Sequence, residues 1–235
     1  MGNLRNSTLT APRRGGAGLE GNGFNGLPGS TRRVYDLLAG IYPLSTFFFH
    51  EKAHKTALSL AGIRNGMRVL EVATGSGEMF GRLVKANPGG LNCGVDLSPN
   101  MAARTQRLAR RNLPKTRAHC QAVDACNMPF RDGCFDAVVC CYLLELMGAD
   151  NILRALGEIH RVLRPNGRLT LVLIGQNVPA FNALYKVAGG LAPAFWGRQV
   201  ELAIPDAIGG CDFEIEHDVK VQQGFYPSRV MVVRK

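Results

Sequence analysis

No apolar run in this chain is long enough to cross a bilayer; the longest candidate, "LLAGIYPLSTFFF" at 37–49, is interrupted by Pro43. The first residues lack the apolar core of a secretory signal, and Arg13 and Arg14 have no hydrophobic run after them. "MGNLRN" begins like a myristoylation signal but carries Asn6 where Ser or Thr is required. The expected location is therefore the cytoplasm. The seven cysteines show no CxxC spacing, and an odd number in such a compartment argues against a disulfide framework. Cys140 and Cys141 are neighbours in an apolar run, so on a strand they face opposite sides and cannot readily share a metal ion. No metal is expected. Acid is scarce: 18 Asp and Glu stand against 28 Lys and Arg, a formal charge of +10. That balance favours anionic partners, whether nucleic acid, an anionic membrane surface or an acidic small molecule.

What is present fits one core of moderate size, since 46% of the 235 residues are hydrophobic. Residues 1–30 are rich in Gly, Asn, Pro and Arg without periodicity, which predicts a disordered tail. From Thr31 to about Ala61 the pattern is helical, with Val34, Leu37 and Leu38 on one face and "HEKAHKTALSLAG" closing at Gly62. Four short apolar runs follow, "MRVLEV" (67–72), "LNCGVD" (91–96), "AHCQAV" (118–123) and "DAVVCCY" (136–142), separated by helix-like stretches. Runs without polar alternation suit strands buried on both faces, and their alternation with helices predicts a doubly wound α/β sheet, mostly parallel. "NILRALGEIHRVL" (151–163) reads as a helix and "GRLTLVLIG" (167–175) as a fifth strand. The C-terminal stretch reads as two more strands, an antiparallel pair turning near Gly224, which makes seven.

Ligands of such sheets sit outside the carboxyl ends of the strands where the winding reverses. "VLEVATGSGE" (69–78) falls there, a strand that ends at Gly75 and Gly77 with Glu71 inside it. Glycines let a ligand approach the main chain. A dinucleotide fingerprint needs a third glycine where this chain has Phe80, and a pyrophosphate would be repelled by Glu71, whereas an ammonium would be attracted. An ordinary strand-to-helix turn is the plain alternative. Asp96 closes the second strand 19 residues after Gly77, about where an acid accepts hydrogen bonds from ribose hydroxyls; as an alternative it only opens a Ser-Pro turn.

Taken in order, these segments resemble the class I S-adenosylmethionine-dependent methyltransferases, and within them the ubiquinone/menaquinone C-methyltransferases. "VLEVATGSGE" resembles their first motif, with Ala73 where many members have glycine. "GVDLSPNM" resembles the ribose motif, "AVDACNMPFRDGCFDAVVCCYLLELM" (122–147) the adenine-contact and fourth-strand region, and "EIHRVLRPNGRLTLV" (158–172) the approach to the fifth strand. The resemblance covers roughly residues 65–175 and implies a Rossmann-like seven-stranded fold with S-adenosylmethionine as cofactor. It implies that Glu71 and the backbone of Ala73, Thr74, Gly75, Ser76 and Gly77 hold the methionine end. Asp96 takes the ribose, Leu97 and Met101 the adenine face, Asp124 the adenine amino group and the Ala125 amide a ring nitrogen. Cys141 and Tyr142 lie near the methyl group, with Tyr142 the candidate catalytic residue. His50, His54 and Tyr42 are further candidate bases.

"YDLLAGIYPLSTFFFHEKAH" (35–54) is similar to the segment that covers the active site in the quinone enzymes, so residues 31–62 are expected to form a helical lid, 63–175 the cofactor-binding core, and 176–235 the acceptor side and terminal pair. Phe181, Tyr185, Phe195 and Trp196 would line the acceptor side. Such a lining suits a quinone-like or lipid-like acceptor. A phospholipid N-methyltransferase, an RNA methyltransferase and a noncatalytic nucleotide-binding module remain alternatives. "RTQRLARRNLPKTR" (104–117) holds six basic residues and no acid, but its arginines at 104, 107 and 111 fall on an outer helix, which suits a solvated face or an anionic lipid surface better than RNA.

Overall fold

The computed structural model describes residues 42–175, 200, 202–223 and 227–235, with the side chains of the first helix described from His50 onward. The expected disordered tail, Tyr35, the aromatics at 42–49 and the acceptor-side Phe181, Tyr185, Phe195 and Trp196 lie outside these described residues or side chains.

The apolar runs become strands as their composition requires. β1 (Arg68–Val72) is buried after its first residue, and β4 (Phe135–Cys141) is buried through its middle, so neither has a solvent face. With β2 (Leu91–Asp96), β3 (Arg117–Ala122), β5 (Leu163–Ile174), β6 (Glu214–Val221) and β7 (Ser228–Arg234) they form one seven-stranded sheet in the order β3-β2-β1-β4-β5-β7-β6. The first five pair in parallel, while β7 pairs antiparallel with both β5 and β6. The expected doubly wound sheet with an antiparallel C-terminal pair is the sheet observed. β5 starts at Leu163 rather than at the expected Gly167, because Leu163 already pairs with Phe135 ahead of a register shift.

Helices α1 (Tyr42–Leu60), α2 (Glu78–Ala86), α3 (Pro99–Asn112), α4 (Ala149–Val162) and α5 (Ile204–Gly210) cover the two faces. On one face, Ile152, Ala155, Leu156, Ile159 and Val162 of α4 and Ile204, Ala207 and Ile208 of α5 pack on Leu70, Val138 and Leu171. On the other, Ala53 and Ala57 of α1 pack with Met79 and Leu83 of α2 on Val69, Val139, Val172 and Val230. Pro43 does not interrupt α1: it lies in the first turn, where its missing N–H has no helical partner to lose. Ala53 and Ala57 in the second half of α1 are fully buried against the sheet.

Two polar latches hold loops between these elements. Asn87, fully buried, donates to Met67 O (2.9 Å) and to Asn92 Oδ1 (3.1 Å) and accepts from Gly66 N (2.8 Å), tying α2 to the starts of β1 and β2. Arg161 donates to the carbonyls of Met128 and Phe130 (2.9 and 2.7 Å), while Glu158 accepts from Met128 N (2.7 Å). The loop that carries Asp124 is thereby fastened to α4.

Candidate active site

The winding reverses between β1 and β4, and a cavity of about 320 Å³ opens there outside the carboxyl ends of the strands. Its floor is the turn after β1. Ala73 N and Thr74 N both donate to Val95 O (2.8 and 3.1 Å), which prolongs the pairing with β2 past the strand end. Ala73 then takes φ 65°, a left-handed conformation that costs an L residue roughly 1 kcal/mol, and this accounts for the glycine many relatives are expected to carry there. Gly75 N donates to Asp96 Oδ2 (2.8 Å) and Ser98 N to Asp96 Oδ1 (2.9 Å), so the acid at the end of β2 is bound to both loops it separates. Asp96 therefore opens the turn, as one sequence reading has it, and also lines the cavity.

Glu71 is the anomalous group. It is 2% exposed, lines the cavity, and its Oε2 has no hydrogen-bond partner. Burial, and then the neighbouring Asp96 and Glu78, push its carboxyl well above the usual carboxylate range. Thr74 Oγ1 is a second buried polar atom left without a partner. A buried carboxyl oxygen and a buried hydroxyl without protein partners match a ligand that brings its own ammonium group.

Of the residues expected at the site, Glu71, Ala73, Thr74, Gly75, Ser76, Asp96, Leu97, Met101, Asp124, Ala125, Cys141 and Tyr142 all line this cavity. Gly77 does not. It caps α2 at φ 82°, and a Cβ there would lie 2.8 Å from Thr105 Oγ1, so its work is to bring α2 against α3. Leu97, 45% exposed, is an apolar surface open to the cavity. Asp124 Oδ1 accepts from Cys126 N (2.9 Å), and Asp124 and Ala125 both line the cavity.

At the β4 end the cavity changes character. Tyr142, at φ 54°, follows the last residue of β4, and its ring stacks on His50 with centroids 4.1 Å apart. Its hydroxyl lies 2.7 Å from Ser228 Oγ, and Gln223 Nε2 donates to Ser228 Oγ (2.8 Å). Burial pushes the Tyr142 phenol upward, which favours its protonated form. Burial likewise pushes the Cys141 thiol up. His50 is driven the other way, to about 3, by burial and by the adjacent His54, and is neutral. Ser228 and Gln223 escaped the sequence reading because they come from the far end of the chain, 86 and 81 residues from Tyr142, with no local signal. Met147, Asn151 and Arg154 at the start of α4 also line the cavity and were likewise missed.

The sheet, the cavity at its switch point and the acid at the end of β2 define an α/β protein that binds a nucleoside-containing cofactor. A methyltransferase domain family matches residues 69–167. The chain is 35% identical to the demethylmenaquinone methyltransferase of Thermus thermophilus, over 65% of this chain and 67% of that one. It is 30% identical to the ubiquinone/menaquinone biosynthesis C-methyltransferase of Desulfotalea psychrophila, over 65% of this chain and 61% of that one. Among solved structures, magnesium protoporphyrin IX methyltransferase of Synechocystis, with bound S-adenosylhomocysteine, superposes with a TM-score of 0.63 over 92% of this chain and 91% of its own, at 20% identity. The chain belongs to the class I S-adenosylmethionine-dependent methyltransferases and resembles their ubiquinone/menaquinone C-methyltransferase group. It spans 61% to 67% of the length of these two curated relatives.

Proposed function

We propose that this protein transfers the methyl group of S-adenosylmethionine to a small, amphipathic, quinone-like aromatic acceptor. The observation that carries the reading is the two-sided cavity: the unpartnered Glu71 and Thr74 at the end of β1, and a stacked aromatic wall of His50 and Tyr142 at the end of β4. The relatives named for demethylmenaquinone and for ubiquinone/menaquinone biosynthesis add support.

When bound, S-adenosylmethionine supplies a methyl group on a sulfonium whose departure as a neutral thioether needs no proton. What the chain must do is bind, align and exclude water. In this reading Glu71 ionises against the ammonium, with Thr74, Gly75 and Ser76 around the methionine end. Asp96 accepts from the ribose hydroxyls, while Leu97 and Met101 hold the adenine face. Asp124 and the Ala125 amide meet the adenine edge, and Cys141 and Tyr142 border the methyl group. Tyr142, held by Ser228, orients the acceptor through its ring and hydroxyl rather than removing a proton.

Among the described residues no helix is long and apolar enough to cross a membrane. A lipophilic acceptor then has to be met at a bilayer surface, and the formal charge of +10 supports peripheral contact with anionic lipid from the cytoplasmic side. The test is a methyl-release screen with labelled S-adenosylmethionine over reduced naphthoquinones, phosphatidylethanolamine vesicles and RNA. Label is expected in the reduced naphthoquinone; label in lipid or RNA, or in none of the three, would overturn the reading.

A further inference from the structure

A hydroxyl-bearing aromatic acceptor has to lose a proton on its way to product, so the acceptor half of the cavity needs a base. Among the described side chains, the titratable groups there divide clearly. Glu71, Asp96 and Asp124 lie toward the strand ends assigned to the cofactor. Cys141 and Tyr142 hold their protons, and His50 lies against the Tyr142 ring with a depressed basicity. His54 remains. It lines the cavity one helical turn beyond His50, with ring centroids 5.8 Å apart, and is only 6% exposed.

Behind His54 stands a carboxylate. Its Nδ1 lies 3.8 Å from Oε1 of Glu78, the first residue of α2, and Arg82 Nη2 donates to the same oxygen at 2.8 Å. Burial would raise the Glu78 carboxyl, but contacts with His54 and Arg82 outweigh it and hold the group below its ordinary range, hence ionised. His54 Nδ1 is buried and without a hydrogen-bond partner. At 3.8 Å the pair is longer than a hydrogen bond, and catalytic pairs commonly close only when ligand fills the site. The helix carrying His54 is firmly seated: Ala53 and Ala57 are fully buried, and Ala53 N donates to Gln223 Oε1 (3.0 Å), the side chain that also braces Ser228.

We propose that His54 is the general base of this site, its Nδ1–H directed at Glu78 and its Nε2 receiving the hydroxyl proton of the acceptor. The role rests on the hydroxyarene reading of the acceptor. The acceptor O–H bond breaks and its proton passes to Nε2, giving an imidazolium that faces the Glu78 carboxylate. The freed electron pair makes the oxygen, or the ring carbon beside it, the nucleophile. A bond forms from that atom to the methyl carbon as the carbon–sulfur pair leaves with sulfur. In transfer to oxygen, His54 then gives its proton to water. In transfer to carbon, the displaced ring hydrogen leaves to water as a proton and the acceptor oxygen takes back the proton held by His54. Glu78 stays ionised and fixes the tautomer, a positioning role.

The test uses the full chain and two readouts. Nitrogen-15 spectra of histidine-labelled protein, saturated with S-adenosylhomocysteine near neutral pH, are expected to find neutral His54 protonated on Nδ1. H54Q should bind S-adenosylhomocysteine within about twofold of the wild type. Its kcat for 1,4-dihydroxynaphthalene should fall about 100-fold or more, the usual worth of a general base, with KM little changed. That loss should shrink toward tenfold or less with a nitro-substituted hydroxynaphthalene already ionised at the assay pH, a rescue that a merely structural role would not give. An Nε2-protonated His54, an H54Q variant as active as wild type, or a loss equal for both acceptors would overturn the base while leaving the acceptor reading intact. A wild-type protein inert toward both naphthalenes, yet binding S-adenosylhomocysteine, would overturn the acceptor reading and the base with it.

Discussion

Glu71 is the residue on which the cofactor assignment turns, and its buried carboxyl makes a pH-dependent prediction. In the unfolded chain it titrates near the ordinary glutamate value of about 4.3, whereas in the fold it is raised well above that. Below the ordinary value both states are protonated and the fold has its full stability from this group. As pH rises, the unfolded chain loses its proton first, so stability falls until the raised value is passed. Glu71→Gln should therefore leave the ligand-free protein at least as stable as wild type near neutral pH. Binding of an ammonium reverses the preference and expels the proton. The enthalpy of S-adenosylhomocysteine binding should consequently differ between phosphate and Tris buffers in the wild type and coincide in the Gln variant; buffer-independent heats in the wild type would contradict the assignment. Glu71 was legible in the sequence because an acid inside an apolar strand run is anomalous on its own. Gly77 shows where sequence is ambiguous: a glycine that allows close helix packing looks in sequence like one that lets a ligand approach.

At the scale of elements, the turn between β1 and α2 carries most of the geometry. Substituting Ala for Gly77 would put a Cβ 2.8 Å from Thr105 Oγ1 at a φ of 82°, so α2 must back away from α3. The expected cost is about 1–3 kcal/mol, read by denaturant unfolding, with weaker S-adenosylhomocysteine binding because the floor of the cavity shifts. A loss below about 0.5 kcal/mol would mean that the turn is slack. The central strands β1 and β4 were readable from composition because each is a short run buried on both faces, so length and composition then suffice. Helix α1 was only half readable. Its helical pattern was in the sequence, but the burial of Ala53 and Ala57 depends on β7 and β5, which the local sequence does not announce.

For the molecule as a whole, the order β3-β2-β1-β4-β5-β7-β6 gathers the ends of β1, β2 and β4 at one crevice, and chain segments from His50 to Ser228 meet around it. The half proposed for the cofactor draws on residues 71–125, close together in sequence, which motif and spacing could single out. The half proposed for the acceptor is assembled from α1, the end of β4 and the C-terminal pair, so Tyr142, Ser228 and Gln223 meet only in the folded chain. The central claim is that this crevice is a site for S-adenosylmethionine and not for a dinucleotide. Titration calorimetry with S-adenosylhomocysteine and NAD, on the wild type and on Asp96→Ala, tests it most directly. S-adenosylhomocysteine should bind the wild type and lose about 1.5–3 kcal/mol in the variant, the worth of hydrogen bonds to a charged acceptor, while NAD gives no heat of binding. Binding of NAD, or an unchanged affinity for S-adenosylhomocysteine without the Asp96 carboxylate, would contradict the account.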